Sequence, residues 1–256
     1  MTDQPSSVLV VGATGSIGRR VVAAALLHGL DVRALVRDPA RAERVLPGAD
    51  LVWGDLEETT GLATAVRGVD AIVFTHGGNG SPDQARRIDY GGVANVLAAL
   101  DGRTPRVALM TSIGVSRRGA YSGSTGQLLD WKRRSERLVR ASGAPYTIVR
   151  PGWFDNVGPR DERLVLEQTD TGNGGIGRDQ LAAVLVRSLL TDSAVDKTFE
   201  LFAEPGAAPA DWEELFAPLT PDGGGELNAA GDPDSLPPLE EEPDAVREDI
   251  TRLTKR

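Results

Sequence analysis

Three glycines mark the first place in this 256-residue chain where residue type and spacing point to chemistry. In Gly12-Ala13-Thr14-Gly15-Ser16-Ile17-Gly18 they lie between an apolar run, Val8 to Val11, and a stretch with helical apolar spacing. A strand that hands over to a helix through such a turn makes a phosphate cradle. Gly12 permits the tight turn, Gly15 lets a pyrophosphate approach the backbone, and Gly18 lets the helix lie close to the strand. Thr14, Ser16 and Ile17 complete the turn, and the free N–H groups and dipole at the helix start favour a negative ligand. Two residues separate the first pair of glycines, one more than in the G-x-G-x-x-G form.

The rest of a dinucleotide site can be followed strand by strand. "VRALV" ends in Arg37, where an NAD-preferring site usually carries a carboxylate for the ribose diol. A guanidinium accepts no hydroxyl proton but pairs with a phosphate, so NADPH or NADP is expected in preference to NADH. Asp38 is an opposing neighbour, and Arg41 is either an assistant from the next turn or a surface charge. Asp55 and Leu56, after the third strand, are expected near the adenine, with N-capping as the alternative role for Asp55. In "FTHGGNG" after the fourth strand, Thr75, His76 and Gly77 fall beneath the cofactor, because glycines at 77, 78 and 80 remove the Cβ obstruction.

These segments need a scaffold that brings strand ends together. Apolar runs alternate with helical periodicities from "SSVLVVG" to "KTFELF", which predicts an α/β fold: a Rossmann-type doubly wound parallel sheet of about seven strands. Residues 1–256 are expected to form one domain. Within it, about 153–177 would form a small substrate lobe over the sheet, and about 204–256 an acidic C-terminal extension. That extension is expected to contain one short helix near Trp212 and to pack through Trp212, Phe216 and Leu219, with "GDPDSLPPLEEEPDAVRED" as a solvated tail. The chain has no cysteine, which excludes disulfides and thiolate chemistry, and no metal site is expected. A formal charge of -9 argues against a nucleic-acid surface. The N-terminal stretch has no signal-peptide pattern and no run matches a membrane span, so a cytoplasmic protein is expected, a monomer or homodimer.

"VVGATGSIG", "ALVRDPARA", "GDL", "TSIGV", "DWKRRSERLVRASGAPYTIVRPG" and "DQLAAVLVRSLL", in this order from about Val8 to Leu190, resemble the atypical short-chain dehydrogenase/reductase superfamily, in particular its NmrA-like, NAD(P)H-binding branch. The resemblance implies an NADP(H) site with a ketone, aldehyde, imine or quinone as hydride partner. It implies that Lys132 binds the nicotinamide ribose, that Thr111 and Ser112 occupy the region of the catalytic serine, and that Pro151 and Gly152 lie beside the carboxamide. One residue departs from the pattern. Leu128 stands one helical turn before Lys132, where the family's tyrosine protonates the developing alkoxide. Ser112, Tyr121, His76, water reached through Lys132, or the substrate itself are the candidates to replace it. Asp130 and Trp131 are expected to cap and pack their helix, and Trp131, Trp153 and Phe154 lie near the wall of a substrate cleft. The expected function is NADPH-dependent reduction of a small-molecule carbonyl or quinone, possibilities including a polycyclic aromatic ketone. The alternative is an NADP(H)-binding redox sensor without turnover.

Overall fold

The computed structural model describes residues 4–78, 80–158 and 160–255. From the N-terminus the chain alternates β1 (Ser7–Val11), α1 (Gly18–Leu27), β2 (Asp31–Val36), α2 (Pro39–Val45), β3 (Asp50–Trp53), α3 (Leu62–Val66) and β4 (Ala71–Phe74). A short α4 (Pro82–Gln84) runs through a π-helical segment, Ala85–Tyr90, into α5 (Gly91–Ala99). Then come β5 (Arg106–Met110), α6 (Gly123–Ala141), β6 (Tyr146–Pro151), β7 (Trp153–Phe154), β8 (Arg163–Glu167), β9 (Gly175–Ile176), α7 (Arg178–Leu189), β10 (Lys197–Glu204), α8 (Trp212–Phe216) and α9 (Asp244–Thr254). Asn79 of the expected glycine-rich loop lies outside the described residues.

The main sheet has eight strands in the order β3-β2-β1-β4-β5-β6-β10-β8. Every pairing from β3 to β10 is parallel. Side chains alternate between its two faces as strand geometry demands. Val8 and Val10 join the core under α1 and α7, while Leu9 and Val11 join the core under α3, α5 and α6. The expected doubly wound α/β fold is therefore present, with both faces covered. Gly29 ends α1 in the left-handed conformation (φ 75°), which a glycine adopts at no steric cost.

The strand order reverses between β1 and β4, which opens a crevice at their carboxyl ends. Sequence reasoning differs from the structure in several elements. The sheet has an eighth strand, β8, which runs antiparallel to β10. The stretch expected to lie above the sheet thus closes its edge and also supplies the β7–β9 pair. Helix α6 starts at Gly123, so Asp130 is mid-helix and pairs with Arg118 at 3.4 Å instead of capping.

The acidic extension is not a solvated tail. Asp222 and Glu242 are buried, the Asp232 carboxylate is covered within a half-buried residue, and α9 seats Val246 and Ile250 in the second core. Phe216 and Leu219 are buried as expected, with Trp212 partly so. The carboxylates meet arginines that α6 turns towards the tail: Arg133, Arg134 and Arg137 surround Glu242, and Arg140 meets Asp222 at 3.1 Å. Among the described residues no helix is long and apolar enough to cross a membrane.

Candidate cofactor and catalytic site

The turn after β1 is built around backbone that leaves no room for side chains. Gly12 has φ 85°, and a Cβ there would stand 2.6 Å from the His76 backbone nitrogen. A Cβ on Gly18 would stand 2.1 Å from the Gly12 carbonyl oxygen. Gly15 N–H donates to that carbonyl at 2.9 Å and closes the turn. The N–H groups of Ser16 and Ile17 engage no other described residue, so they remain available at the start of α1.

A groove of ≈ 610 Å³ runs from this turn across the crevice, a size typical of small-ligand sites. Gly12, Thr14, Gly15, Ser16 and Ile17 line one part of it, and Arg37, Asp38 and Arg41 another. Asp55, Leu56, Thr75, His76 and Gly77 line it as well, together with Met110 and Phe154. Asp38 is committed as the N-cap of α2, accepting from Arg41 N–H at 3.0 Å. Among the described residues neither the Arg37 nor the Arg41 guanidinium has an ion-pair partner. Asp55 accepts from Glu57 N–H at 2.8 Å, which fixes the turn after β3.

The expected reacting residues are arranged differently. Lys132 and Pro151 do not line the groove, and Pro151 is buried in β6. Lys132 Nζ donates to Asp89 Oδ1 at 2.5 Å, and Asp89 Oδ2 accepts from Gly78 N–H at 2.9 Å. The ammonium is thereby tied, through a buried carboxylate of the π-helical segment, to the loop after β4. Ser135 Oγ donates to the Asp89 carbonyl at 2.9 Å and holds the same segment against α6. Ser112 spends its hydroxyl proton on the Ile113 carbonyl at 3.1 Å. Tyr121 lines a separate cavity of ≈ 270 Å³ with Arg118, Leu129 and Asp130, and its ring covers Gly114. Trp131 packs on Tyr90, with ring centroids 5.4 Å apart, away from the groove.

His76 lines the groove, but its protonation does not suit a proton donor. Burial, aided by the Lys132 charge, pushes its pKa down to about 4 against the opposing pull of Asp89. The imidazole is neutral at pH 7, and Nε2 lies 3.0 Å from the Ile88 carbonyl, so the ring proton belongs on that nitrogen. Nδ1 is buried without a partner among the described residues. It is an acceptor, which corrects the expectation that His76 gives a proton.

Sequence reasoning missed Asp89, Met110 and the anchoring role of Gly78. The signal for Asp89 was present: one carboxylate in the otherwise apolar periodicity from Ile88 to Leu100.

A description of the NAD(P)H-binding family matches residues 12–192, from the first glycine of the turn to just beyond α7. The chain belongs to that family. It is 32% identical to an uncharacterized chloroplastic protein of Arabidopsis thaliana, over 82% of this chain and 81% of that one. It is 26% identical to the sanguinarine reductase of Eschscholzia californica, over 84% of this chain and 96% of the reductase. Among solved structures, one described as an NAD-dependent epimerase/dehydratase of Bacillus halodurans has a TM-score of 0.72. Its identity is 25%, and the match covers 84% of this chain and all of that one. The expected resemblance to atypical short-chain dehydrogenase/reductases is borne out, and with it a nicotinamide cofactor. The family span contains every groove residue from Gly12 to Phe154 and excludes β10 and the docked acidic extension.

Proposed function

We propose that the chain reduces a carbonyl or quinone using NADPH, with proton delivery that does not depend on a tyrosine. The groove carries the reading. It joins a glycine turn with unengaged N–H groups to two guanidiniums that have no ion-pair partner among the described residues, and its lining includes an apolar pair, Met110 and Phe154. Arg37 and Arg41 suit a 2'-phosphate, because Asp38 is already spent on capping α2 and neutralises them less. Ser16 and Ile17 N–H would hold the pyrophosphate, and Asp55 and Leu56 would flank the adenine. Thr75, His76 and Gly77 would support the nicotinamide half, with the neutral His76 Nδ1 as an acceptor. When bound, the reduced nicotinamide supplies a hydride.

The chain's own residues explain which acceptors suit the site. The Ser112 hydroxyl faces a backbone carbonyl, His76 is neutral, and Lys132 is held by Asp89. Among the described residues no side chain poised to give a proton lines the groove with Met110 and Phe154, so a substrate that spreads the incoming charge, with water completing the protonation, is favoured over a simple ketone. Phe154, 40% exposed with the Arg178 guanidinium 5.3 Å from its ring centroid, offers such a planar substrate an aromatic face. On this reading the 153–177 segment contributes to the substrate site through Phe154. Kinship with a sanguinarine reductase supports reduction.

The test is NADPH absorbance followed across quinones, aldehydes and polycyclic ketones. Steady oxidation by at least one quinone or polycyclic ketone is expected. It should fall about ten-fold or more in Lys132→Ala, which strips Asp89 of its cation and loosens the Gly78 loop. A second reading, an NADP(H)-binding sensor, is favoured by Leu128 in the tyrosine's position and by the engagement of Lys132 with Asp89. Tight NADPH binding with no turnover on any panel member would replace the first reading by the second.

A further inference from the structure

Asp170, in the connection from β8 to β9, is fully buried and left-handed, with φ 49°. Aspartate adopts that conformation more readily than most residues, because its short polar side chain can bond locally. Its Oδ1 accepts from Gly114 N–H at 2.6 Å, and its Oδ2 from Ser116 N–H at 2.9 Å and Ser116 Oγ at 2.8 Å. The Arg117 Nε lies 3.5 Å away at the rim. Asp170 N–H in turn donates to Glu200 Oε2 at 2.8 Å. The segment it grips is the one that leaves β5 after Met110 of the groove lining, two residues beyond Ser112.

The start of that segment is held from the other side by the same buried network. Thr111 Oγ1 donates to Glu136 Oε1 at 2.7 Å. Arg150 bonds Glu136 at 2.7 Å, Asp232 at 2.8 Å and Glu200 at 3.3 Å. A carboxylate that takes two backbone N–H groups and a hydroxyl makes stronger bonds than a neutral amide would. A loop whose peptide groups are so held has few alternative positions.

We propose that Asp170 is a positioning residue for the site: with Glu136 at the opposite end, its carboxylate fixes residues 111–116, which continue directly from Met110 in the groove lining, and so sets that part of the groove. This rests on the reading that Met110 and Phe154 mark the reacting part of the groove. The phosphate-binding turn and Arg37 lie on other strands, so the effect is confined to the chemical step.

Asp170→Asn tests it. Asparagine keeps the shape and the tolerance of left-handed backbone, and it loses the charge. Amide exchange measured on the full chain without cofactor should accelerate about ten-fold at Gly114 and Ser116. With NADPH and the best quinone of the panel, kcat should fall about ten-fold while the KM for NADPH stays within about two-fold, the pattern of a lost reaction-geometry contact. Ser116→Ala, which removes one hydroxyl and spares both N–H bonds, should show the same changes to a smaller degree and serves if Asp170→Asn fails to fold. Unchanged exchange at Gly114 and Ser116 would overturn the proposal, as would equal losses in kcat and NADPH affinity. The exchange measurement needs no turnover. Absence of NADPH oxidation by the unmodified protein would therefore sink the reductase reading while leaving the loop anchoring to be judged on exchange alone.

Discussion

Replacing Glu242 by alanine should destabilise this protein far more than its place in an acidic tail would imply. The Glu242 carboxylate is buried among three guanidiniums: Arg133 Nη2 at 2.7 Å, Arg137 Nη1 at 2.8 Å and Arg134 Nε at 2.7 Å. Burial pushes Arg137 down to about 10, and the neighbouring Arg133 charge adds to that, so the arginines already repel one another. Removing their shared counter-charge leaves buried cations unpaired, which costs about 3–5 kcal/mol. Against a usual total of roughly 5–15 kcal/mol this is a large fraction. Urea unfolding followed by tryptophan fluorescence measures it, and Trp131, with the Arg134 guanidinium 4.3 Å from its ring centroid, reports from the same surface. Glu242→Gln should cost less, because an amide oxygen still accepts a hydrogen bond. Burial alone would raise the Glu242 carboxyl, but the bonds from Arg134 and Arg133 hold it below its ordinary 4.5. Its contribution is therefore present above that pH and is lost as acid titrates it through its depressed value, so the gap between wild type and variant should close on acidification. A cost below about 0.5 kcal/mol, the usual effect of a solvated surface charge, would refute the docking of the tail.

Other perturbations follow from the same structure. Arg37→Asp should weaken NADPH binding much more than NADH binding in a fluorescence titration, and equal losses would sink the assignment to a 2'-phosphate. Gly18→Ala would drive a Cβ to 2.1 Å from the Gly12 carbonyl oxygen, so cofactor affinity should fall about ten-fold or more and stability by about 1–3 kcal/mol. Wild-type affinity in that variant would mean that α1 does not need its close approach. Burial, with the Asp170 charge in support, raises Glu200 from 4.5 to about 7 against Arg150. A raised acid contributes stability below its ordinary value and loses it as pH rises through its folded value, a span worth about 3 kcal/mol. Glu200→Gln should therefore gain in melting temperature relative to wild type between about pH 5 and about pH 8; a constant difference would contradict the raised pKa.

The candidate cofactor groove was largely legible because each of its parts is a local pattern. The Gly12 turn, Arg37 and Asp55 each sit where a run of buried strand residues ends, and parallel strands bring such ends to one edge. The catalytic half was less legible. Lys132 follows a helix pattern correctly, yet its partner Asp89 is 43 residues away and is brought to it only when the π-helical segment packs on α6. The basic run on α6 looks in sequence like a solvated face. So does the acidic run near the C-terminus, and neither contains the information that they bury one another.

By itself, then, the sequence determined the alternation of strands and helices, the tight glycine turn after β1, the cation at the end of β2 and the absence of the helical tyrosine. These depend on backbone conformation and apolar periodicity within a few residues. The tertiary structure alone decided that β8 closes the sheet edge, that His76 is a neutral acceptor, and that Asp170 and Glu242 are buried anchors. The physical reason is the same in each case. The state of a charged or titratable group depends on its desolvation and on the counter-charge beside it, and both come from residues distant in the chain.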